Sequence, residues 1–322
     1  MLTAISSITP LVALIGGSGF IGTAIAEKFA AAGWRIIAVG RNPDNARHLK
    51  PLGDLGQIDS RRADVRIPAT LAPALQGANA VINLAGILEQ RGGQKYDAIH
   101  VAGARAVAEA ARAVGARSLV HISALSADSR SPYAYARSKG LGEEAVHATF
   151  PDASIIRPGI AYGPRDNFTN RLADIIATTP TPVMPVIAAE ARLQPVFVHD
   201  IAAAVFQIVT AENKPDGSRI TEIAGPEIFT MREIIAWLAD FLGKERPLVD
   251  TPDVWARLLT RFSFLPGAPI TADQLEMLQH NNIASGNYPG LAELGITPAT
   301  FATTVSSWLV RYRAGGRFAA LA

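Results

Sequence analysis

Short apolar runs alternate with helical patterns through the first half of the chain. LVALIG (11–16) has no polar position, as suits a strand buried on both faces. FIGTAIAEKFAAAG (20–33) follows, with Ile21, Ile25 and Phe29 four residues apart on one helical stripe and Gly33 closing it. RIIAVG (35–40) predicts a second strand, RRADV (61–65) carries the edge of a third, and PATLAPALQG (68–77) predicts a helix. AVINLAG (80–86) reads as a fourth strand, and a long helix is expected from Lys95 to Val114. SLVHIS (118–123) is the fifth strand, a helix runs from Tyr135 to His147, and ASIIRPG (153–159) is the sixth strand. Buried strands in regular alternation with helices predict an α/β fold, a Rossmann-type doubly wound parallel sheet covered on both faces.

After Gly163 the rhythm breaks. The proline-rich stretch 176–190 is expected to be irregular, QPVFVHD (194–200) to be a strand leading into the helix IAAAVFQIVT (201–210), and ITEIAG (220–225) to be a late strand. Beyond Pro226 only helices and loops are expected. The predicted organisation is a nucleotide-binding core over 10–165 to which 193–225 returns. A smaller, mainly helical C-terminal region is drawn from 166–192 and 226–322.

Composition narrows the function. Of 322 residues, 49% are hydrophobic and 18% charged, which excludes a disordered chain. Thirty basic residues against 28 acidic ones give a net charge of +2, too little to imply a nucleic-acid partner. The absence of cysteine removes thiol catalysis, disulfides and cysteine-based metal sites, and the six histidines show no metal-ligand spacing. No metal is therefore expected. There is no run of 18 apolar residues, so no spanning helix is expected. MLTAISSITPLVALIGG lacks a basic flank and a small-residue cleavage site, so a secretion signal is not expected either. PDVWARLLTRFSFLPG places Val254, Leu258 and Phe262 on one stripe flanked by Arg257 and Arg261. A stripe of this kind packs on the protein body or rests at a membrane surface.

IGGSGFIG spells Gly16-x-x-Gly19-x-x-Gly22 between the first strand and its helix. Glycine permits the tight turn and the close approach of backbone to a pyrophosphate, and the helix N-terminus presents free N–H groups to it. In this strand–turn–helix context the motif predicts a dinucleotide site. A carboxylate at the end of the second strand would hold the ribose diol of NAD. Here Gly40 is followed by Arg41 and Asn42. A guanidinium at that place suits a 2′-phosphate, so NADP(H) is expected in preference to NAD(H), with Arg47 and Lys50 adding positive charge. Asp64, after the third strand, is placed either to accept from the adenine amino group or to cap a helix.

SPYAYARSKGLGE carries Tyr135 and Lys139, four apart and hence one helical turn apart on one face. An ammonium near a phenol lowers the phenol's pKa and makes it a usable proton donor or acceptor. Tyr133 has the wrong spacing for this.

Together, GGSGFIG, NLAG, the Tyr135/Lys139 pair, RPGIAYGP and PVFVHDIA resemble the short-chain dehydrogenase/reductase superfamily of extended or atypical type. LKPLGDLGQI (49–58), AVINLAG, VHISALSAD (120–128), YARSKGLGE, YGPRDNF (162–168), QPVFVHDIA, TADQLEMLQHNNIAS (271–285) and LGITPATF (294–301) narrow the resemblance. They are similar to the atypical branch containing the nucleotide-binding alpha-subcomplex accessory subunit of respiratory complex I, and to its bacterial relatives. The resemblance implies that Gly16, Ser18, Gly19, Phe20, Ile21 and Gly22 hold the pyrophosphate, and that Arg41 meets the 2′-phosphate, with Asn42 also among the cofactor-binding residues. It puts Asp64 and Val65 at the adenine, and Leu84, Ala85 and Gly86 beside the inner ribose. Tyr135 and Lys139 then hold the nicotinamide ribose, with Pro158, Gly159, Ile160 and Ala161 at the nicotinamide.

One departure from the pattern matters. Enzymes of the extended type carry a Ser or Thr two residues past the first serine ending the fifth strand. Here that place falls on Leu125, which cannot donate a hydrogen bond, and Ser123 or Ser126 would have to stand in. Loss of a positioned donor costs about 10²–10³ in rate. Whether the chain turns over a substrate is thus left open. The resemblance implies an NADP(H)-binding accessory, assembly or stability factor of complex I. Such a factor would meet its subunits at the inner, cytoplasmic face of the respiratory membrane. The alternative is an active NADPH-dependent oxidoreductase on an unknown apolar carbonyl or quinone-like substrate, with Tyr135, Lys139 and Ser123 as its catalytic group. A nucleotide-sugar epimerase is the third reading, disfavoured by Arg41.

Overall fold

The computed structural model describes residues 9–211, 219–252, 254–255, 275–276, 281–313 and 316. Seven parallel strands form the central sheet. In chain order they are β1 (Leu11–Ile15), β2 (Arg35–Gly40), β3 (Ile58–Arg62), β4 (Ala80–Asn83), β5 (Ser118–Ile122), β6 (Ser154–Pro158) and β11 (Ile220–Ile223). Across the sheet they lie β11-β6-β5-β4-β1-β2-β3. The chain starts in the middle, winds outward through β2 and β3, and then returns to β4 on the other side of β1. The β1/β4 boundary is where the winding reverses, and open α/β sheets bind ligands beyond the strand ends at such a point.

The helices are α1 (Phe20–Ala31), α2 (Leu71–Leu75), α3 (Ala102–Ala113), α4 (Ala134–Thr149), α5 (Thr169–Thr178), α6 (Val198–Thr210), α7 (Met231–Phe241) and α8 (Phe301–Leu309). Side chains alternate across β1 as the pleat requires. Val12 and Leu14 face the core under α1 and α6, whereas Leu11, Ala13 and Ile15 face the core under α2 and α3. Both faces are apolar, so the strand reads as an unbroken hydrophobic run. The late strand β11 pairs with β6, and α6 packs on α1. A third apolar cluster gathers Tyr162, Ile176, Met184, Leu193, Ile234, Leu238, Phe301 and Trp308 from the segments after β6. The α7 helix there begins with a capping box, in which the Thr230 and Glu233 side chains each take the other's backbone N–H.

Three local expectations are corrected. The third strand begins at Ile58, earlier than RRADV, because β3 is the sheet's edge and its polar IDSRR sequence hides the strand pattern. The stretch 176–190 is not wholly irregular: Met184–Val186 (β8) pairs with Leu248–Asp250 (β13). Its partner β13 and Phe229–Thr230 (β12), which pairs with Arg192–Leu193 (β9), are strands in the region beyond Pro226 expected to hold only helices and loops. Strands of two or three residues are too short to show alternation. The remaining two, Ala161–Tyr162 (β7) and Val196–Phe197 (β10), pair in parallel just past β6. Of the apolar stripe at 252–266, Val254 and Trp255 are described and exposed, and most of the remainder lies outside the described residues. Among the described residues no helix is long and apolar enough to cross a membrane.

Candidate functional site

The glycine loop fills the β1/β4 boundary. Gly16 turns at φ 79°, where its N–H reaches the Val39 carbonyl at 2.9 Å, and a Cβ there would stand 3.2 Å from the Leu84 carbonyl. Gly22 lies against the backbone of Gly17, and a Cβ on it would sit 2.5 Å from the Gly17 oxygen. This contact closes α1 onto the loop. Gly17 has the same need, because its own Cβ would meet the Leu14 side chain at 2.6 Å. The x positions of the motif gave no sign of that.

Gly19 is different. It is exposed, and among the described residues the only atom near a Cβ placed on it is the Gly16 oxygen at 3.3 Å. It is also the N-cap of α1 and supplies no side chain to the helix end. The first intrahelical bond is Thr23 N–H to the Gly19 carbonyl, so the amides of Phe20, Ile21 and Gly22 precede the helical ladder. Ser18 is half-buried beside them. An open floor of glycine with helix-end amides above it fits a pyrophosphate.

Arg41 is exposed immediately after β2, and Asn42 caps the following turn by accepting the Asp44 N–H. Arg47 pairs with Asp44 at 2.8 Å, so its charge is partly answered within the turn. Asp64 accepts Arg66 through both Nε and Nη2, the latter at 2.6 Å, and also takes the Arg66 backbone N–H. That pairing holds its carboxyl below the usual range, with the Arg41 charge adding a smaller pull. Val65 packs under Gly103 of α3. Leu84 and Ala85 lie against Gly16, and the Ala85 N–H is held by Asn83 Oδ1 at 3.1 Å.

At the other end, α4 carries Tyr135 and Lys139 toward the end of β5. Lys139 is buried, and its Nζ donates to the Ile122 carbonyl at 2.8 Å. Burial pulls its ammonium down to about 8, against the opposing pull of Glu143. Burial pushes the Tyr135 phenol up to about 12. The lowering expected from the neighbouring ammonium is not found: desolvation of the phenolate is the cause that sets the shift.

Ser123 is also buried, and its hydroxyl donates to the Glu143 carboxylate. Glu143 is held in turn by Arg157 through Nε at 3.0 Å and Nη2 at 2.7 Å. Leu125 donates its backbone N–H to the Pro158 carbonyl, and its Cδ1 would lie 3.4 Å from a Cβ on Gly159. Leu125 thus brings an apolar group beside Gly159 where a hydroxyl donor was sought, next to the Gln194 carbonyl and Asn282 Oδ1.

Two further residues at this end gave no sign in the sequence. Asn282 Oδ1 accepts the Ile160 N–H at 3.0 Å. Gln194 accepts the Ala284 N–H and donates to the Gly225 carbonyl. Asn282 ties the C-terminal segment to the turn after β6, which also carries Ala161 in β7, Gln194 ties it to Gly225 just past the end of β11, and a contact over 122 residues has no local signature. Among the described residues no group of three His, Asp or Glu side chains is placed to hold a metal.

Residues 12–224 match the family model described as "NAD dependent epimerase/dehydratase family". The chain is 30% identical over 328 residues to the NADH dehydrogenase [ubiquinone] 1 alpha subcomplex subunit 9, mitochondrial, of Arabidopsis thaliana, covering 97% of this chain and 80% of that protein. It is 32% identical over 244 residues to the ceramide reductase of Caulobacter vibrioides, covering 76% of this chain and 74% of the relative. Among solved structures, the UDP-glucose 4-epimerase of Thermus thermophilus in complex with NAD superposes with a TM-score of 0.67 at 18% identity, over 94% of this chain and 98% of the other. That likeness is one of fold.

Proposed function

We propose, from the premise that the chain belongs to the NAD dependent epimerase/dehydratase family, that it binds NADP(H) in preference to NAD(H) and serves as an accessory, assembly or stability factor of respiratory complex I. Leu125 carries this reading. A leucine stands at the place of the reacting carbonyl's donor, and Ser123 is committed to Glu143. The similarity to a complex I subunit along 97% of the chain supports the same conclusion.

The pyrophosphate would lie on Gly16, Ser18, Gly19, Phe20, Ile21 and Gly22, the adenine by Asp64 and Val65, and the inner ribose by Leu84 to Gly86. Tyr135 and Lys139 would hold the nicotinamide ribose, and Pro158 to Ala161 would face the ring. The nicotinamide, when bound, supplies hydride chemistry; the protein's part is to bind, orient and exclude water. Partner contacts would fall on the smaller region drawn from 166–192 and 226–322, at the inner face of the respiratory membrane.

Arg41 supports the choice of NADP(H). A charge-assisted contact of about 1.5–3 kcal/mol implies a preference of about 10–200-fold for NADPH over NADH. Arg41→Glu should erase that difference in paired fluorescence titrations. Equal affinities in the wild type would remove the argument.

A second reading is favoured by the intact Tyr135/Lys139 pair and by the 32% identity to a ceramide reductase. In it the chain is an NADPH-dependent reductase of an apolar, lipid-like carbonyl. Complementation of a deletion strain separates the two. Tyr135→Phe removes the phenol but keeps the ring, so it should leave complex I assembly intact if the role is accessory, whereas Gly19→Val should impair it. A Tyr135→Phe protein that binds NADPH yet fails to complement would sink the accessory reading.

A further inference from the structure

The long helix expected from Lys95 is not regular at its start. Asp97–Val101 is a π-helical turn that leads into α3. Insertions of this type re-aim a side chain and recur at functional sites. Here the turn drives His100 into the space between α3 and α4, where it is 2% exposed.

Each imidazole nitrogen has one partner. Nε2 accepts the Ile87 backbone N–H at 3.0 Å. A nitrogen accepting from an amide carries no proton, so the proton of the neutral ring sits on Nδ1. Nδ1 lies 2.9 Å from the Ser138 hydroxyl, which itself donates to the Tyr135 carbonyl at 2.8 Å. The bonds therefore run in one direction, from His100 to Ser138 to the backbone of Tyr135. The ring is fixed as well. It stacks on Tyr96 with centroids 5.2 Å apart and meets the Tyr135 ring edge-on at 5.7 Å.

The same imidazole backs the loop after β4, since the atom nearest a Cβ on Gly86 would be His100 Nε2 at 3.6 Å. On α4, a Cβ on Gly142 would collide with the His100 carbonyl, so the helix is kept bare there for the π turn to approach. His100 thus touches the end of the Leu84–Gly86 segment read as lying beside the inner ribose, at Gly86 and the adjoining Ile87, and also the helix of Tyr135 and Lys139. Burial, with the nearby Lys139 charge, pulls its pKa down to about 3, which agrees with a permanently neutral ring.

The geometry points to His100 as a positioning residue that fixes, in its Nδ1–H form, the spacing between the β4 loop and the Tyr135/Lys139 helix, and thereby the nicotinamide-ribose end of the site. The inference rests on the dinucleotide reading above. It deepens that reading by separating the two halves of the ligand.

The test uses the full chain with two probes, NADPH and adenosine 2′,5′-bisphosphate, which carries only the adenine half. His100→Phe keeps the ring contacts but removes both nitrogens. It should weaken NADPH binding about tenfold and leave the bisphosphate within about twofold. His100→Gln, which keeps an acceptor within reach of Ile87, should recover part of the loss. Equal losses on both probes, or an unchanged NADPH affinity, would overturn the assignment. A wild-type chain that bound neither NADPH nor NADH would remove the dinucleotide reading instead. The ring itself is read independently in the ¹⁵N-histidine spectrum of the wild type, which covers the case in which His100→Phe does not fold. His100 should show a protonated Nδ1 and a bare Nε2 between about pH 6 and 8, and the opposite tautomer or a charged ring overturns the proposal.

Discussion

Gly19→Val is expected to abolish nicotinamide-dinucleotide binding while the protein stays folded. The backbone at Gly19 has φ −78° and ψ 179°, an extended conformation that valine adopts without strain. The side chain would project into the open floor of the loop, where among the described residues only the Gly16 oxygen at 3.3 Å comes near. It therefore occupies the volume a pyrophosphate needs, and the dissociation constant should rise by more than about a hundredfold. Gly22→Val is the control. Its Cβ would press on the Gly17 backbone at 2.5–2.7 Å, so the loss there begins with the fold. The measurement pairs a thermal scan with an NADPH titration. Wild type at a hundredfold excess of NADPH over its dissociation constant gains about 2.7 kcal/mol of stability. Gly19→Val should melt near the unliganded wild type with or without NADPH. A folded Gly19→Val protein that binds NADPH normally would show that the site lies elsewhere.

The reach of sequence reasoning followed the range of the interactions. Gly16, Gly19 and Gly22 were legible because the turn, the backbone approach and the helix start are all local. Tyr135 and Lys139 were legible because one helical turn brings them to one face. The strands buried on both faces were legible from their unbroken apolar runs, whereas β3 at the sheet edge was misjudged by a few residues. What escaped depends on registry or distance. The π turn at Asp97–Val101 shifts the helical register without altering the apolar pattern of its neighbours, so nothing in the sequence singled out His100. Asn282 meets Ile160 from 122 residues away. Glu143 lies four residues beyond Lys139, as Lys139 lies four beyond Tyr135. An acid continuing a buried face was the available signal, but its partner Arg157 belongs to another strand.

That pair sets the second large expectation: Glu143→Leu should destabilise the protein by about 3–5 kcal/mol. The Glu143 and Arg157 side chains are only 6% and 14% exposed, and two parallel hydrogen bonds join them. Removing the carboxylate leaves a guanidinium with little water and only the less close Glu222 carboxylate, on the neighbouring strand, as a counter-charge. Its stacking on the Tyr288 ring, at 5.2 Å, offsets only a small part of that. The Ser123 hydroxyl loses its acceptor at the same time, which adds about 1 kcal/mol. For a chain of this size the melting temperature should fall on the order of 10 °C. The double variant Glu143→Leu with Arg157→Met is the informative comparison. It removes both charges and fills the volume with apolar groups, and such replacements are often neutral. It should therefore melt well above the single variant. If the two melt alike, the cost arises from lost packing between α4 and β6 and not from an uncompensated charge, and the buried fork is not what holds this helix in place.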